Sequence, residues 1–109
     1  MIDYGASVVS IRVPDRRGNF ADIALGYSSL DKYEADNEIY FGGTIGRCAN
    51  MISKGRFTLD GTEYLLAANF PPDHLHGGIR GFNKVVWSGE AIRTSKSVGV
   101  KFVYLGLAE

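Results

Sequence analysis

The sequence predicts an all-β fold. Short runs alternate apolar and polar residues at a period of two, and turn residues separate them. No segment carries a helical apolar stripe of useful length. Fourteen glycines against three prolines fit a chain of many sharp turns and close backbone approaches. With 109 residues there is room for one domain and not for two ordinary ones.

Val9, Ile11 and Val13 alternate with Ser10 and Arg12 and predict a half-buried strand. Pro14-Asp15-Arg16-Arg17-Gly18-Asn19 is a turn, because proline fixes one dihedral and glycine accepts positive φ. Phe20 to Leu25 alternates again, with Ile23 and Leu25 on one face. The two runs predict a hairpin with Arg16 and Arg17 at its solvated tip. Ser28 to Tyr33 reads either as one helical turn or as an irregular excursion. Ile39-Tyr40-Phe41 is apolar, and Gly42-Gly43 follows at once. Glycines at 42, 43 and 46 disfavour a helix and predict a strand with close neighbours, then a tight bend, towards Gly55.

Arg56 to Leu59 and Thr62 to Leu66 alternate on either side of Asp60-Gly61, which is a strong hairpin signal. Gly81-Phe82-Asn83-Lys84 leads into Val85-Val86-Trp87. A last strand runs from Val98 to Tyr104, with Val98, Val100, Phe102 and Tyr104 on one face. The chain stops at Glu109 soon after that run, so further sequence or a partner completing the sheet is expected.

Twelve basic and twelve acidic residues give a formal net charge of zero. That balance disfavours a nucleic-acid partner, which calls for a basic stripe. No run of eighteen apolar residues exists, so no membrane span is expected. Met1 to Ser10 lacks the basic region and apolar core of a secretory signal. Cys48 is alone and cannot form an internal disulfide, which fits a cytoplasmic protein.

Asn69-Phe70-Pro71-Pro72-Asp73-His74-Leu75-His76-Gly77-Gly78 holds both histidines. They stand two apart, which in an extended segment puts both on one face. Three readings stay open on residue chemistry: an acid, base or sugar donor; a metal pair; or imidazoles satisfied by backbone carbonyls. Cys48, Asp73 and Glu63 are available as further ligands, but no spacing resembles a zinc or iron motif, which weighs against the metal reading. Asn50, in Gly46-Arg47-Cys48-Ala49-Asn50, can donate and accept at once, which suits a hydroxyl-rich ligand. Arg47 is either a ligand contact or a structural donor. Cys48 reads as a buried small hydrophobe rather than a nucleophile. Trp87, Phe82 and Tyr40 are candidates for an apolar sugar platform or for core.

Gly42 to Ile52, the Phe57-Thr58-Leu59-Asp60-Gly61 turn and Asn69 to Trp87 resemble the galactose mutarotase (aldose 1-epimerase) family. Leu75-His76-Gly77-Gly78 with Gly81-Phe82 is the specific signature. Tyr4 to Ile11 and Pro14 to Asn19 look like its early strands. The resemblance implies a partial β-sandwich, or supersandwich, truncated relative to the family, with residues 1–109 forming a single incomplete galactose mutarotase-like domain. It implies interconversion of the α and β anomers of galactose or glucose without cofactor or metal. A glutamate takes the anomeric hydroxyl proton and a histidine protonates the ring oxygen.

His76 matches the first of the family's two active-site histidines and is the catalytic and substrate-binding candidate. Asn50 matches its sugar-site asparagine. Arg47, Asp73 and Asn69 are candidate supporting residues, and His74 carries no catalytic role. Met51 stands where the family has a sugar-contacting arginine, a fork no thioether can supply. Asp73 stands where the family has asparagine and Asn83 where it has aspartate, and Asp73 is expected to place a negative charge beside His76. The second histidine, the aspartate and the glutamate match beyond Glu109. The expected ligand is a small-molecule hexose, with no nucleic acid and no membrane as partners. The isolated chain is expected to be weak or inactive. Two alternatives remain. One is a non-catalytic structural or interaction module, using an open edge for self-association. The other is one half of a split enzyme, in which a second chain completes the fold.

Overall fold

The computed structural model describes residues 1–35 and 39–106. The chain end at Glu109 lies outside the described residues. These residues hold eight strands and one α-helix of six residues. The strands are β1 (Arg12–Pro14), β2 (Phe20–Asp22), β3 (Met51–Ile52), β4 (Arg56–Leu59), β5 (Thr62–Leu65), β6 (His74–Leu75), β7 (Ser88–Arg93) and β8 (Val98–Val103), and the helix is α1 (Leu30–Ala35). The strands form four antiparallel pairs, β1–β2, β3–β6, β4–β5 and β7–β8. The all-β expectation therefore holds. No helix of the described residues is long and apolar enough to cross a membrane. The chain divides into two units: Met1–Gly43 with Val86–Glu109, and Thr44–Val85.

In the first unit, β1 and β2 form the expected hairpin, with Val13 opposite Ala21. Asp15 builds its turn: Oδ1 accepts the N–H groups of Arg17 (2.7 Å) and Asn19 (2.9 Å). These donors, Asn19 first, hold the Asp15 carboxyl below the ordinary carboxylate range. At the other end, Asp22 Oδ1 accepts the N–H groups of Ile11 and Ala24, both at 3.0 Å. Of the half-burial expected here, Val9 is half-buried, whereas Ile11 and Val13 are exposed. Ile11, Phe20, Ile23 and Leu25 are all exposed, Leu25 to 73%. Alternation marks a strand, but burial also needs a layer to pack against.

Of the two readings of 28–33, the helical turn is the one realised. Tyr33 of α1 is buried, accepts the Tyr27 N–H at 3.1 Å and meets the Tyr27 ring edge-on at 5.2 Å. β8 appears as expected, but its partner β7 was not legible in sequence, because Ser-Gly-Glu-Ala-Ile-Arg lacks clean alternation. Thr94 Oγ1 shapes their turn by accepting the Ser97 N–H at 2.9 Å. Trp87 packs on Tyr104 at 5.5 Å between ring centres.

In the second unit, β4 and β5 pair with Phe57 opposite Tyr64, and the two rings stack at 5.1 Å. Asp60 (φ 49°) and Gly61 (φ 79°) supply the two positive dihedrals of a primed turn. The strand expected between Gly42 and Gly55 shrinks to Met51–Ile52, followed by a 3₁₀ turn at Ser53–Gly55. Positive φ at Tyr40, Gly42 and Asn50 keeps the preceding stretch out of extended conformation.

Candidate functional site

The site is built on β3 and β6 of the second unit. Met51 lies opposite Leu75 and Ile52 opposite His74. One step beyond this ladder stand Asn50 and His76. The His76 N–H donates to the Asn50 carbonyl at 3.1 Å, and the Asn50 N–H donates to His76 Nδ1 at 3.0 Å. Nδ1 is thus an acceptor, so the neutral ring carries its proton on Nε2. Both residues have left-handed backbone, with φ 65° at Asn50 and 55° at His76.

That geometry overturns the expectation of two histidines on one face. Alternation requires extended backbone, and the chain turns at His76. His74 is 8% exposed and its Nδ1–H donates to the Ala67 carbonyl at 2.9 Å. A Cβ on Gly78 would lie 2.7 Å from His74 Cε1, so the glycine makes room for this buried ring. His76 is only partly buried.

The turn that carries His76 explains its glycines. The Gly78 N–H donates to the Leu75 carbonyl at 2.9 Å, and His76 and Gly77 between them both have positive φ. A Cβ on Gly77 would run into the Gly46 carbonyl oxygen. Gly46 is equally constrained, since a Cβ there would strike the Phe82 ring. The Gly46 carbonyl accepts the Phe82 N–H at 3.1 Å. Gly46 and Phe82 are thus part of the scaffold, which residue chemistry alone did not assign; the glycine directly before Arg47 was the available signal.

The candidate supporting residues have local tasks. Asn69 acts as a one-residue strand: Oδ1 accepts the Leu75 N–H at 2.8 Å and Nδ2 donates to the Leu75 carbonyl at 3.0 Å. It thereby pins the residue next to His76. Asp73 Oδ1 accepts the Lys54 N–H at 2.8 Å, supporting a residue with φ 55°. Arg47 is exposed and lies over the Phe82 ring, with Cζ 5.6 Å from its centre. Cys48 is exposed, against the expectation of a buried hydrophobe. Met51, at 51% exposure, adjoins Asn50. Trp87 and Tyr40 belong to the first unit and Phe82 to the second. Among the described residues no group of three His, Cys, Asp or Glu side chains could hold a metal ion.

The family model for aldose 1-epimerase matches residues 1–106. The chain belongs to the aldose 1-epimerase family. Galactose mutarotases from Rattus norvegicus and Homo sapiens are each 44% identical to it over 102 residues, covering 94% of this chain and 28% of theirs. The crystal structure of the GalM/aldose epimerase homologue from C. elegans superposes with a TM-score of 0.73 at 33% identity, over 85% of this chain and 28% of that one. The chain therefore spans little more than a quarter of the length of these relatives. Its fold is the corresponding part of a galactose mutarotase-like fold. Within this aldose 1-epimerase family member, the Leu75–Gly78 turn and the Asn50–His76 couple form one rigid corner, held by Gly46 on one side and Asn69 on the other.

Proposed function

We propose that this corner is one wall of a hexose site, and that the chain serves the interconversion of galactose or glucose anomers. The observation that carries the reading is the double link between Asn50 and His76. It fixes the imidazole and commits Nε2 as the donor atom. The ring-oxygen side of the sugar faces Nε2. In ring opening a base takes the anomeric hydroxyl proton, the bond from C1 to the ring oxygen breaks, and the ring oxygen gains a proton. Rotation about C1–C2 and closure give the other anomer. His76 supplies the donor to the ring oxygen, where negative charge develops. The Asn50 side chain holds a sugar hydroxyl. Arg47, Asp73 and Asn69 support the wall, and no metal or cofactor enters the scheme.

Residues 1–109 are read as part of one galactose mutarotase-like domain in a cytoplasmic protein. The family resemblance puts the base, a glutamate, outside the span matched here. The isolated chain accordingly binds hexose weakly and turns it over weakly or not at all, since a proton donor without its base gives little catalysis. Titration with galactose or glucose, followed by the ring ¹⁵N shifts of His76, tests the reading. Saturable shifts at His76 and Asn50 support it. Shifts unmoved at concentrations well above millimolar, where binding is worth only about 4 kcal/mol, overturn it.

The exposed apolar residues favour a second reading alongside the first. Leu25, Leu65 and Val98 are each more than 70% exposed, and such side chains gain about 25 cal/mol per Å² when covered. This reading makes the chain one half of a split enzyme, or a self-associating module without catalysis. Light scattering at micromolar concentration separates the cases. A monomer with a cooperative melt removes self-association, and failure to co-purify with a second chain removes the split enzyme.

A further inference from the structure

The Leu75–Gly78 turn has His76 (φ 55°) and Gly77 (φ 91°) as its central residues and closes through the Gly78 N–H on the Leu75 carbonyl at 2.9 Å. Two successive positive dihedrals make it a primed turn. His76 takes its direction from the two ends of that turn. The entry end is held by β3, where Ile52 pairs with His74, and by the Asn69 side chain on Leu75. The exit end is Gly78, which is buried. The His74 ring reaches it. A Cβ on Gly78 would stand 2.7 Å from His74 Cε1. Adding a bond of about 1.5 Å puts the Gly78 Cα within about 4.2 Å of the ring, which is van der Waals contact. The ring is anchored as well. His74 Nδ1–H donates to the Ala67 carbonyl at 2.9 Å, and the N–H of the neighbouring Leu66 donates to the Gly55 carbonyl at 2.7 Å.

We propose that His74 is a positioning residue for His76: its ring, fixed to the Ala67 carbonyl, buttresses Gly78 and so holds the exit of the turn that carries His76. This rests on the reading of His76 as the sugar-facing imidazole. A ring 8% exposed, with one nitrogen committed to a carbonyl, has little freedom to tilt in a close-packed interior. With Gly78 held against it, the turn keeps φ 55° at His76, and Nδ1 stays 3.0 Å from the Asn50 nitrogen. The two imidazoles carry their protons on opposite nitrogens. His74 donates through Nδ1, because the Ala67 carbonyl can only accept. His76 accepts at Nδ1 from Asn50 and keeps its proton on Nε2. Histidine suits position 74 because it joins a donor at Nδ1 to a flat ring that extends to Gly78. Asparagine supplies the donor but lacks the Cε1 corner nearest Gly78, and alanine supplies neither.

The test uses the full 109-residue chain labelled with ¹⁵N. Ring ¹H–¹⁵N spectra in mildly alkaline buffer are expected to show His74 in the Nδ1–H form and His76 in the Nε2–H form. His74 in the Nε2–H form overturns the proposal. In folded His74→Ala, the His76 ring shifts are expected to leave the Nε2–H pattern for averaged values. Hexose affinity is expected to fall about fivefold or more, as on loss of one hydrogen bond. His74→Asn keeps the donor to Ala67 and is expected to recover part of the pattern. A lower melting midpoint with the His76 pattern intact in both variants marks a merely structural residue and overturns the proposal. If His74→Ala does not fold, His74→Asn decides: His76 shifts moved towards averaged values support the proposal, and unmoved shifts overturn it. Gly78→Ala reads the ring contact itself. Its strain from positive φ is common to every background, so the difference between backgrounds isolates the contact. It is expected to lower the urea midpoint less in His74→Asn than in the unsubstituted chain, and equal losses overturn the proposal. A hexose titration that leaves His76 unmoved in the unsubstituted chain sinks the sugar reading, while the ring shifts, measured without sugar, still decide this one.

Discussion

The Asn50 backbone N–H donates to Nδ1 of His76, 26 residues later in the chain, at 3.0 Å. The bond uses main chain on one side and imidazole on the other, so the Asn50 side chain is not needed to hold the ring. In the proposed hexose site its carboxamide is the group that holds a sugar hydroxyl. The two functions of residue 50 can therefore be separated by substitution.

Asn50→Gly keeps the backbone N–H and suits the left-handed φ of 65°. The His76 tautomer should be unchanged, and hexose affinity should fall about 5- to 10-fold, equivalent to the loss of one hydrogen bond of about 1 kcal/mol. Ring ¹⁵N shifts and a galactose titration on the same sample check both halves. Asn50→Ala should lose more stability, since a Cβ in left-handed backbone costs roughly 1–2 kcal/mol.

Gly77→Ala should be among the most damaging single changes in the second unit. Its φ of 91° is unfavourable for any side chain, and the new Cβ would overlap the Gly46 carbonyl oxygen. Relief requires moving either the Gly46 segment or the His76 turn. A loss of about 3 kcal/mol or more is expected from strain and overlap together, read as a lower midpoint in urea. Gly61→Ala provides the control. Gly61 also has positive φ, but no atom lies within 4 Å of its would-be Cβ, so its loss should stay nearer 1 kcal/mol.

How far the sequence disclosed this arrangement depends on where each dihedral was announced. Asp60-Gly61 announces its own turn, and β4–β5 formed as expected. Pro14 and Gly18 did the same for β1–β2. At His76 no residue type signals positive φ, and alternation through Asp73–Gly77 therefore misplaced His74. The signal lay one residue on, in Gly77-Gly78. β7 escaped notice because exposure on all six residues leaves no apolar period to read. Cys48 and Leu25 show the converse limit. Their residue types favour burial, but what covers them depends on the layer beside them, which residue type does not encode.

Asp15 and Asp22 should titrate below the ordinary carboxylate range. At Asp15 the chief cause is the Asn19 backbone donor, followed by the Asn19 side chain and the Arg17 backbone. At Asp22 it is the Ser10 side chain, then the backbones of Ala24 and Ile11. A depressed folded pKa means the unfolded chain binds protons first as pH falls. The stabilisation is complete above the unfolded value near 4 and is lost as pH drops through the lower folded value. Carboxyl ¹³C shifts between pH 6 and pH 2 give both values directly. Asp15→Asn and Asp22→Asn should each remove their part of the acid sensitivity of the β1–β2 hairpin. A hairpin equally acid-sensitive in the double variant would contradict the assignment.

Met51→Arg should strengthen hexose binding. The family resemblance puts a sugar-contacting arginine at this position. Met51 directly follows Asn50 on β3 and is 51% exposed, so a guanidinium there keeps much of its hydration and is spared the penalty of a buried charge. The backbone pairing of Met51 with Leu75 does not depend on side-chain type. Folding stability should change by no more than about 0.5 kcal/mol, as for an ordinary surface substitution. A charged hydrogen bond to a sugar hydroxyl contributes about 1.5–3 kcal/mol, so affinity should rise at least about tenfold. Lysine supplies charge without the planar fork and should recover less. Titrations of the three proteins with galactose, followed at His76, give the order Arg, Lys, Met if position 51 faces the sugar. Equal affinities across the three, with the fold intact, would place the ligand elsewhere.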